Sequence, residues 1–264
     1  MSAANGSRLL GTGAPAQSAS WGAKTLALTL NELRLAIRRG ESLLITFVIP
    51  AGVLLVFSAF DLSGGTATGK PVDRMLPGSM SLAVLAASMV SLAIATGFER
   101  SYGVIKRLGG SPAGTSALVA SKTAAVIVVE AVQMVLLVAI AIALGWSAGP
   151  MASLPLAVIG LVLGTVAFAG FGLLMAGTLR AEATLALANL LFLVSLVIGG
   201  VIMPLDKLPA TLAAASGLLP PAALTKVLTI GLGGTTGDAT ESVVVLAVWA
   251  VLLAGLAARK FRWD

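Results

Sequence analysis

The residues able to do chemistry in this sequence are few, and the absences among them narrow the field first. The 264 residues contain no Cys and no His, which removes thiolate nucleophiles, imidazole bases, disulfides and the usual zinc ligands. Gly64-Gly65-Thr66-Ala67-Thr68-Gly69-Lys70 fits G-x-x-x-x-G-K, the start of a phosphate-binding loop. Pro71 stands where the magnesium-binding hydroxyl should be, no strand pattern precedes and no amphipathic helix follows, so the segment does not read as a nucleotide site. Glu130 is the one charge deep inside an apolar run, with Gln133 one turn further on the same face. A charge there costs about 3 kcal/mol on insertion scales, so it faces protein or a wet cavity. Two readings stay open for this pair: a substrate or proton contact in a translocation path, or a polar tie between helices. No intramembrane Lys or Arg is available to pair with it.

The elements that must hold these residues are set by composition. With 58% hydrophobic and 11% charged residues, and a mean hydropathy of +1.02, the chain is an integral membrane protein of the all-α kind. The formal charge of +6 sits at the ends of apolar runs and is not interleaved with aromatics, which argues against a nucleic-acid surface. Membrane lipids are the expected partner for it.

Residues Met1 to Ser20 are small and polar, with no apolar run fit for a secretory signal, and are expected to be a disordered tail. From 21 to 41, Leu26, Leu30, Leu33 and Ile37 form one helical stripe opposite Lys24, Asn31, Arg34 and Arg38. Such a helix lies in the membrane interface or packs on protein. The region 42–260 then holds six apolar segments, at about Leu43–Phe60, Leu76–Phe98, Ala117–Leu144, Leu154–Leu179, Thr184–Met203 and Ser242–Ala258. Each is near the roughly 20 residues needed to cross the hydrocarbon. An even number of crossings puts both termini on one side, and that side then carries 13 of the Lys and Arg residues against 4 on the other. Both termini are therefore expected in the cytosol. The segments Gly160, Gly164, Gly170, Gly172, Ala176 and Gly177 give the fourth span small-residue spacing suited to close helix packing.

Two connections stand out. Glu99 to Ser111 is polar and basic, carrying Glu99, Arg100, Lys106 and Arg107, with Lys122 at the start of the next span, and is expected to face water. Val104, Ile105 and Leu108 recur at helical spacing within Ser101 to Leu108, so a short amphipathic helix stopped by Gly109-Gly110-Ser111-Pro112 is predicted. Pro204 to Glu241 is too apolar for a free loop and too broken to cross. Its pieces, about Ala210–Leu218 and Ala222–Ile230, read as two short re-entrant helices over the outer mouth, 204–231, with the backbone freed at Pro220-Pro221 satisfied by protein or water.

The basic helix between the second and third spans, the Gly/Ser-Pro turn after it and the Lys entering the third span resemble the cytosolic coupling segment of ABC-2 type exporter permeases. Pro204, Leu208-Pro209 and Pro220 after the fifth span resemble the same family, and the likeness covers about residues 22 to 260. Within the family the chain looks most like the drug and antibiotic exporters of the daunorubicin-resistance kind. The resemblance implies a permease subunit moving an amphipathic drug, antibiotic or lipid-like substrate outward. It also implies two ATP-binding cassette subunits that hold the ATP and magnesium, no cofactor on this chain, and a second permease chain, identical or homologous. Glu99, Arg100, Tyr102, Val104, Ile105, Lys106, Arg107 and Leu108 would form the ATPase-coupling surface, and Pro204, Pro209, Pro220 and Pro221 would shape the outer re-entrant region. Relatives often carry a second acid shortly after the first, where this chain has Ser101-Tyr102-Gly103, so no acid beyond Glu99 is carried over. The alternative class is a secondary transporter or channel that needs no ATPase; it calls for inverted repeats and several intramembrane charges, which the sequence does not show.

Overall fold

The computed structural model describes residues 20–38, 40–60, 70–109, 114–200 and 209–261, and among them every regular element is helical. The expected N-terminal tail up to residue 19, the glycine motif at 64–69 and Pro204 lie outside the described residues, as do the side chains of Arg107 and Leu108.

Helix α1 (Trp21–Arg38) packs on protein, one of the two settings its pattern allows. Thr29 is buried against the sixth helix, its hydroxyl 3.4 Å from Ser121 O, while Leu26, Leu30 and Ile37 stay exposed on the far stripe. Helix α2 (Gly40–Ala59) is 20 residues long with Pro50 in its interior; at 1.5 Å per residue it reaches about 30 Å, one hydrocarbon thickness. The second span is a single helical run of 31 residues, Pro71–Ser101. It comprises α3 (Pro71–Val84), a π-helical segment (Leu85–Ser91) and α4 (Leu92–Ser101). The second span thus opens before the expected Leu76: Pro71 begins the helix, where a missing N–H costs nothing, and the Asp73 carboxylate accepts Lys70 N at 3.2 Å.

Gly103, at φ +71°, turns the chain between α4 and α5 (Val104–Gly109). The predicted helix over 101–108 is therefore two pieces, α4 closing at Ser101 and α5 opening at Val104. Helices α6 (Gly114–Ala143), α7 (Leu154–Thr178), α8 (Ala181–Ile198) and α11 (Thr240–Lys260) supply the remaining crossings. Five runs among the described residues are long and apolar enough to span a bilayer, and α2 adds a shorter apolar stretch, Thr46–Ala59.

Between α8 and α11 lie α9 (Ala210–Gly217) and α10 (Pro220–Gly231), bent 78° from each other. At 12 residues α10 rises only about 18 Å and cannot cross alone. It is set into protein: Val227 and Leu224 fill the notches at Gly160 and Gly164 of α7, where an added Cβ would stand 2.5 and 3.0 Å from them. The expected freed backbone at Pro220-Pro221 does not arise. Both prolines occupy the first turn of α10, whose N–H groups have no intrahelical acceptor in any case.

The glycines of α7 set the rest of the packing. An added Cβ at Gly170 would lie 2.6 Å from Ala254 N of α11, and one at Gly172 would lie 2.9 Å from Met89 O of the π-helical segment. At one end of the bundle Gly177 takes the Phe261 ring just after α11. At the other, Lys70 Nζ donates to Gly145 O after α6, and Ser153 N donates to Gly231 O at 2.8 Å.

Candidate functional site

The coupling stretch and the third span meet around one buried cation. Lys122 stands one turn into the apolar part of α6 and is 1% exposed, which reverses the expectation that it faces water. Its ammonium donates to Glu99 Oε2 of α4 at 2.7 Å and pairs with Glu32 Oε1 of α1, also at 2.7 Å. Three helices far apart in sequence are thereby tied at one atom. An ammonium held in such surroundings needs close anionic partners, because the low dielectric that strengthens the pair also penalises the unpaired charge.

Beside this triad opens a cavity of about 650 Å³. The π-helical segment and α4 present Ala86, Val90, Ile94 and Ala95 to it, α6 adds Val126 and Val129, and α8 closes one wall with Asn189 and Phe192. Glu32, Glu99 and Lys122 form its charged end, with Phe98 and Tyr102 close by, their ring centroids 6.1 Å apart. A π-helical turn inserts one residue into a helix and re-aims the side chains around it, and such turns recur at functional sites. Here the segment leans its carbonyls on Gly172 on one side and lines the cavity with small side chains on the other.

Helix α5 projects outward from the same end. Ile105 is fully buried in a cluster with Leu92, Leu118, Leu173, Ala257 and Phe261, so α5 is seated chiefly on α4 and joined through that cluster to α6, α7 and the end of α11. Tyr102 is 72% exposed, and Val104 and Lys106 are exposed beside it. Arg100 turns the other way: its guanidinium donates to Ala176 O at 2.9 Å and Leu179 O at 3.2 Å, closing carbonyls left open where α7 ends.

Glu130 and Gln133 are both buried and neither lines the cavity. Thr165 of α7 donates its hydroxyl to Glu130 Oε2. Gln133 Nε2 donates to Thr46 O at 2.7 Å, which is the carbonyl that Pro50, lacking an N–H four residues on, leaves without its helical donor. Pro209 and Pro220 sit at the starts of α9 and α10, and Pro221 O accepts the Thr225 hydroxyl at 3.1 Å.

Glu32 was the functional candidate that sequence reading passed over. On its helix it reads as one polar residue among several, and its importance comes from Lys122, 90 residues on in the chain.

An all-helical bundle that spans a bilayer several times, encloses an apolar cavity with a charged end and presents an anchored helix to one side is a multi-pass membrane transport domain. The chain belongs to the ABC-2 type transporter family, whose pattern matches residues 23–232. It is the permease component of an ABC transporter, and membership implies an ATP-binding subunit as partner. No relative of curated function matches the chain.

Proposed function

We propose that the chain is the permease of an ATP-driven exporter in a bacterial plasma membrane, with both termini cytosolic and two copies or homologues forming one path above two ATP-binding cassette subunits. Those subunits hold the ATP and magnesium. The substrate is an amphipathic drug, antibiotic or lipid-like molecule, in keeping with the resemblance to exporters of the daunorubicin-resistance kind.

One observation carries this reading: the α4–α5 turn and α5 expose Tyr102, Val104 and Lys106, while Ile105 among them is fully buried in a cluster with side chains of α4, α6, α7 and α11. A push on α5 cannot stay local, because close-packed interiors transmit displacement rather than absorb it. Motion would pass through Ile105 to α6, α7 and α11, and through Glu99 and Lys122 to the wall of the cavity. Arg107 and Leu108 complete the docking segment, and the proline-framed helices α9 and α10 close the opposite end.

The test is gentle purification from native membranes with identification of copurifying proteins and an ATPase assay. An ATP-binding subunit should accompany the chain and be lost on Val104→Asp with Lys106→Asp, while the permease still inserts. A chain that purifies alone and transports without nucleotide would instead be a secondary transporter or channel.

A further inference from the structure

We infer that the cavity beside Lys122 is a binding site for hydrophobic cations, and that Glu32 is the carboxylate that selects their charge. The inference rests on the permease reading of the same cavity and adds the chemical class of what enters it.

The charged end of the cavity contains two carboxylates and one ammonium among its described residues. The ammonium is turned inward: Lys122 is 1% exposed, with a carboxylate at 2.7 Å on each of two sides. A visiting ion does not meet Lys122 first. It meets Glu32, whose side chain keeps 17% of its surface open, and beyond it the rings of Phe98 and Tyr102, with Phe192 on the α8 wall. Carboxylates and aromatic faces both attract positive charge, the latter most strongly where water is excluded. Both would repel an anion.

The other walls decide what kind of cation fits. Ala86, Ala87, Val90, Ile94, Ala95 and Val129 offer no side-chain oxygen, and Thr46, Ser91 and Asn189 are too few to replace a hydration shell, so a small hard cation would lose more than it gains. A cation whose charge is spread over, or attached to, a large apolar body loses little hydration and gains the walls. A volume of about 650 Å³ lies within the range of cavities that take drug-sized molecules.

Tetraphenylphosphonium and tetraphenylborate separate charge from everything else, being nearly equal in size and apolar surface and opposite in sign. The intact chain, extracted in neutral detergent with whatever ATP-binding subunit accompanies it, would be assayed for saturable binding of each radiolabelled ion in separate experiments without nucleotide. Tetraphenylphosphonium should bind at least tenfold more tightly. Glu32→Gln should reduce that affinity at least fivefold, Glu32→Asp should restore it to within about twofold, and Ala95→Trp, which fills the cavity, should abolish saturable binding.

Equal affinity for the two ions, no saturable binding of the cation, or cation binding indifferent to both Glu32→Gln and Ala95→Trp would overturn the inference. The comparison of ions on the unaltered chain stands even if a variant folds poorly. A copurifying ATPase with no cation binding would refute this inference alone, whereas cation binding by a chain with no ATPase would refute the exporter reading alone.

Discussion

At the scale of single residues, the chain spends its few polar groups on repairing what membrane helices cannot leave open. Lys122 is the clearest case. Lys122→Met would take the shared ammonium away from the buried Glu99 and the half-buried Glu32, and removing one partner of a buried pair costs on the order of 3–5 kcal/mol. Thermal unfolding in detergent should show a large drop for Lys122→Met, with most of it recovered when Glu32→Gln and Glu99→Gln are added; a lone Lys122→Met that melts like the parent would refute the triad. Gln133 poses a finer question. Because it serves the Thr46 carbonyl that Pro50 leaves open, Gln133→Leu should cost about 1–3 kcal/mol. In a Pro50→Ala background the helix supplies its own donor to Thr46 O, so the same Gln133→Leu change should cost markedly less. A double-mutant cycle with no coupling between the two positions would contradict this. Neither pairing was legible in the sequence. Periodicity places each residue on a helix face, but which carbonyl lacks a donor, and which distant side chain reaches it, depends on how the helices are set against one another. For Glu130 the sequence left a path contact and a polar tie both open, and its bond from Thr165 on the next helix favours the tie.

Elements were more readable, because the bilayer imposes their length and the side-chain chemistry imposes their ends. The long apolar runs, the amphipathic α1 and the paired α9 and α10 all follow from hydrocarbon thickness, helical periodicity and proline placement. The small residues of the fourth span likewise announced close packing, and the structure shows against what. The π-helical segment had no such signal: Leu85–Ser91 reads as ordinary helix, and its extra residue is settled by the fit of Gly172 under the Ser88 and Met89 carbonyls. Two glycines of neighbouring helices put the packing argument to a test. At Gly170 an added methyl would fall 2.6 Å from backbone of α11, and backbone cannot step aside. Gly170→Ala should therefore force α7 and α11 apart and lower stability by about 1–3 kcal/mol. At Gly255 of α11 nothing lies within 4 Å of the added atom. Gly255→Ala should leave stability unchanged or raise it by about 0.5–1 kcal/mol, since alanine restricts the unfolded chain and favours helix. The pair would be compared by melting temperature and by yield of folded protein, and similar losses at both positions would mean that α7 and α11 are not packed as described.

For the whole molecule the remaining question is which way the bundle faces. The helices themselves are symmetric in this respect; only the connections and the charges differ between the two ends. One end gathers α1, α5, the α7–α8 turn and the close of α11, with Arg100, Lys106, Arg180, Arg259 and Lys260. The other gathers Lys70, the turn after α6, and the α10–α11 connection, where Asp238 accepts both the backbone N–H and the hydroxyl of Thr240 and is held below the usual carboxylate range by them. Translocation retains Lys and Arg on the cytosolic side far more than it retains acids, so the basic end should be inside and α5 should meet the ATP-binding subunit there. The absence of cysteine from the chain makes this directly measurable. Lys106→Cys on α5 and Thr236→Cys in the α10–α11 connection are both at exposed positions. In intact cells a membrane-impermeant maleimide should label Thr236→Cys and spare Lys106→Cys, which should react only after permeabilisation. Labelling of both from outside would place an even number of crossings between them, where the plan has the three helices α6, α7 and α8, and break the six-span plan. Labelling of Lys106→Cys alone would invert the molecule, leaving α5 on the side where no ATP-binding subunit could reach it and removing the mechanical basis for coupling.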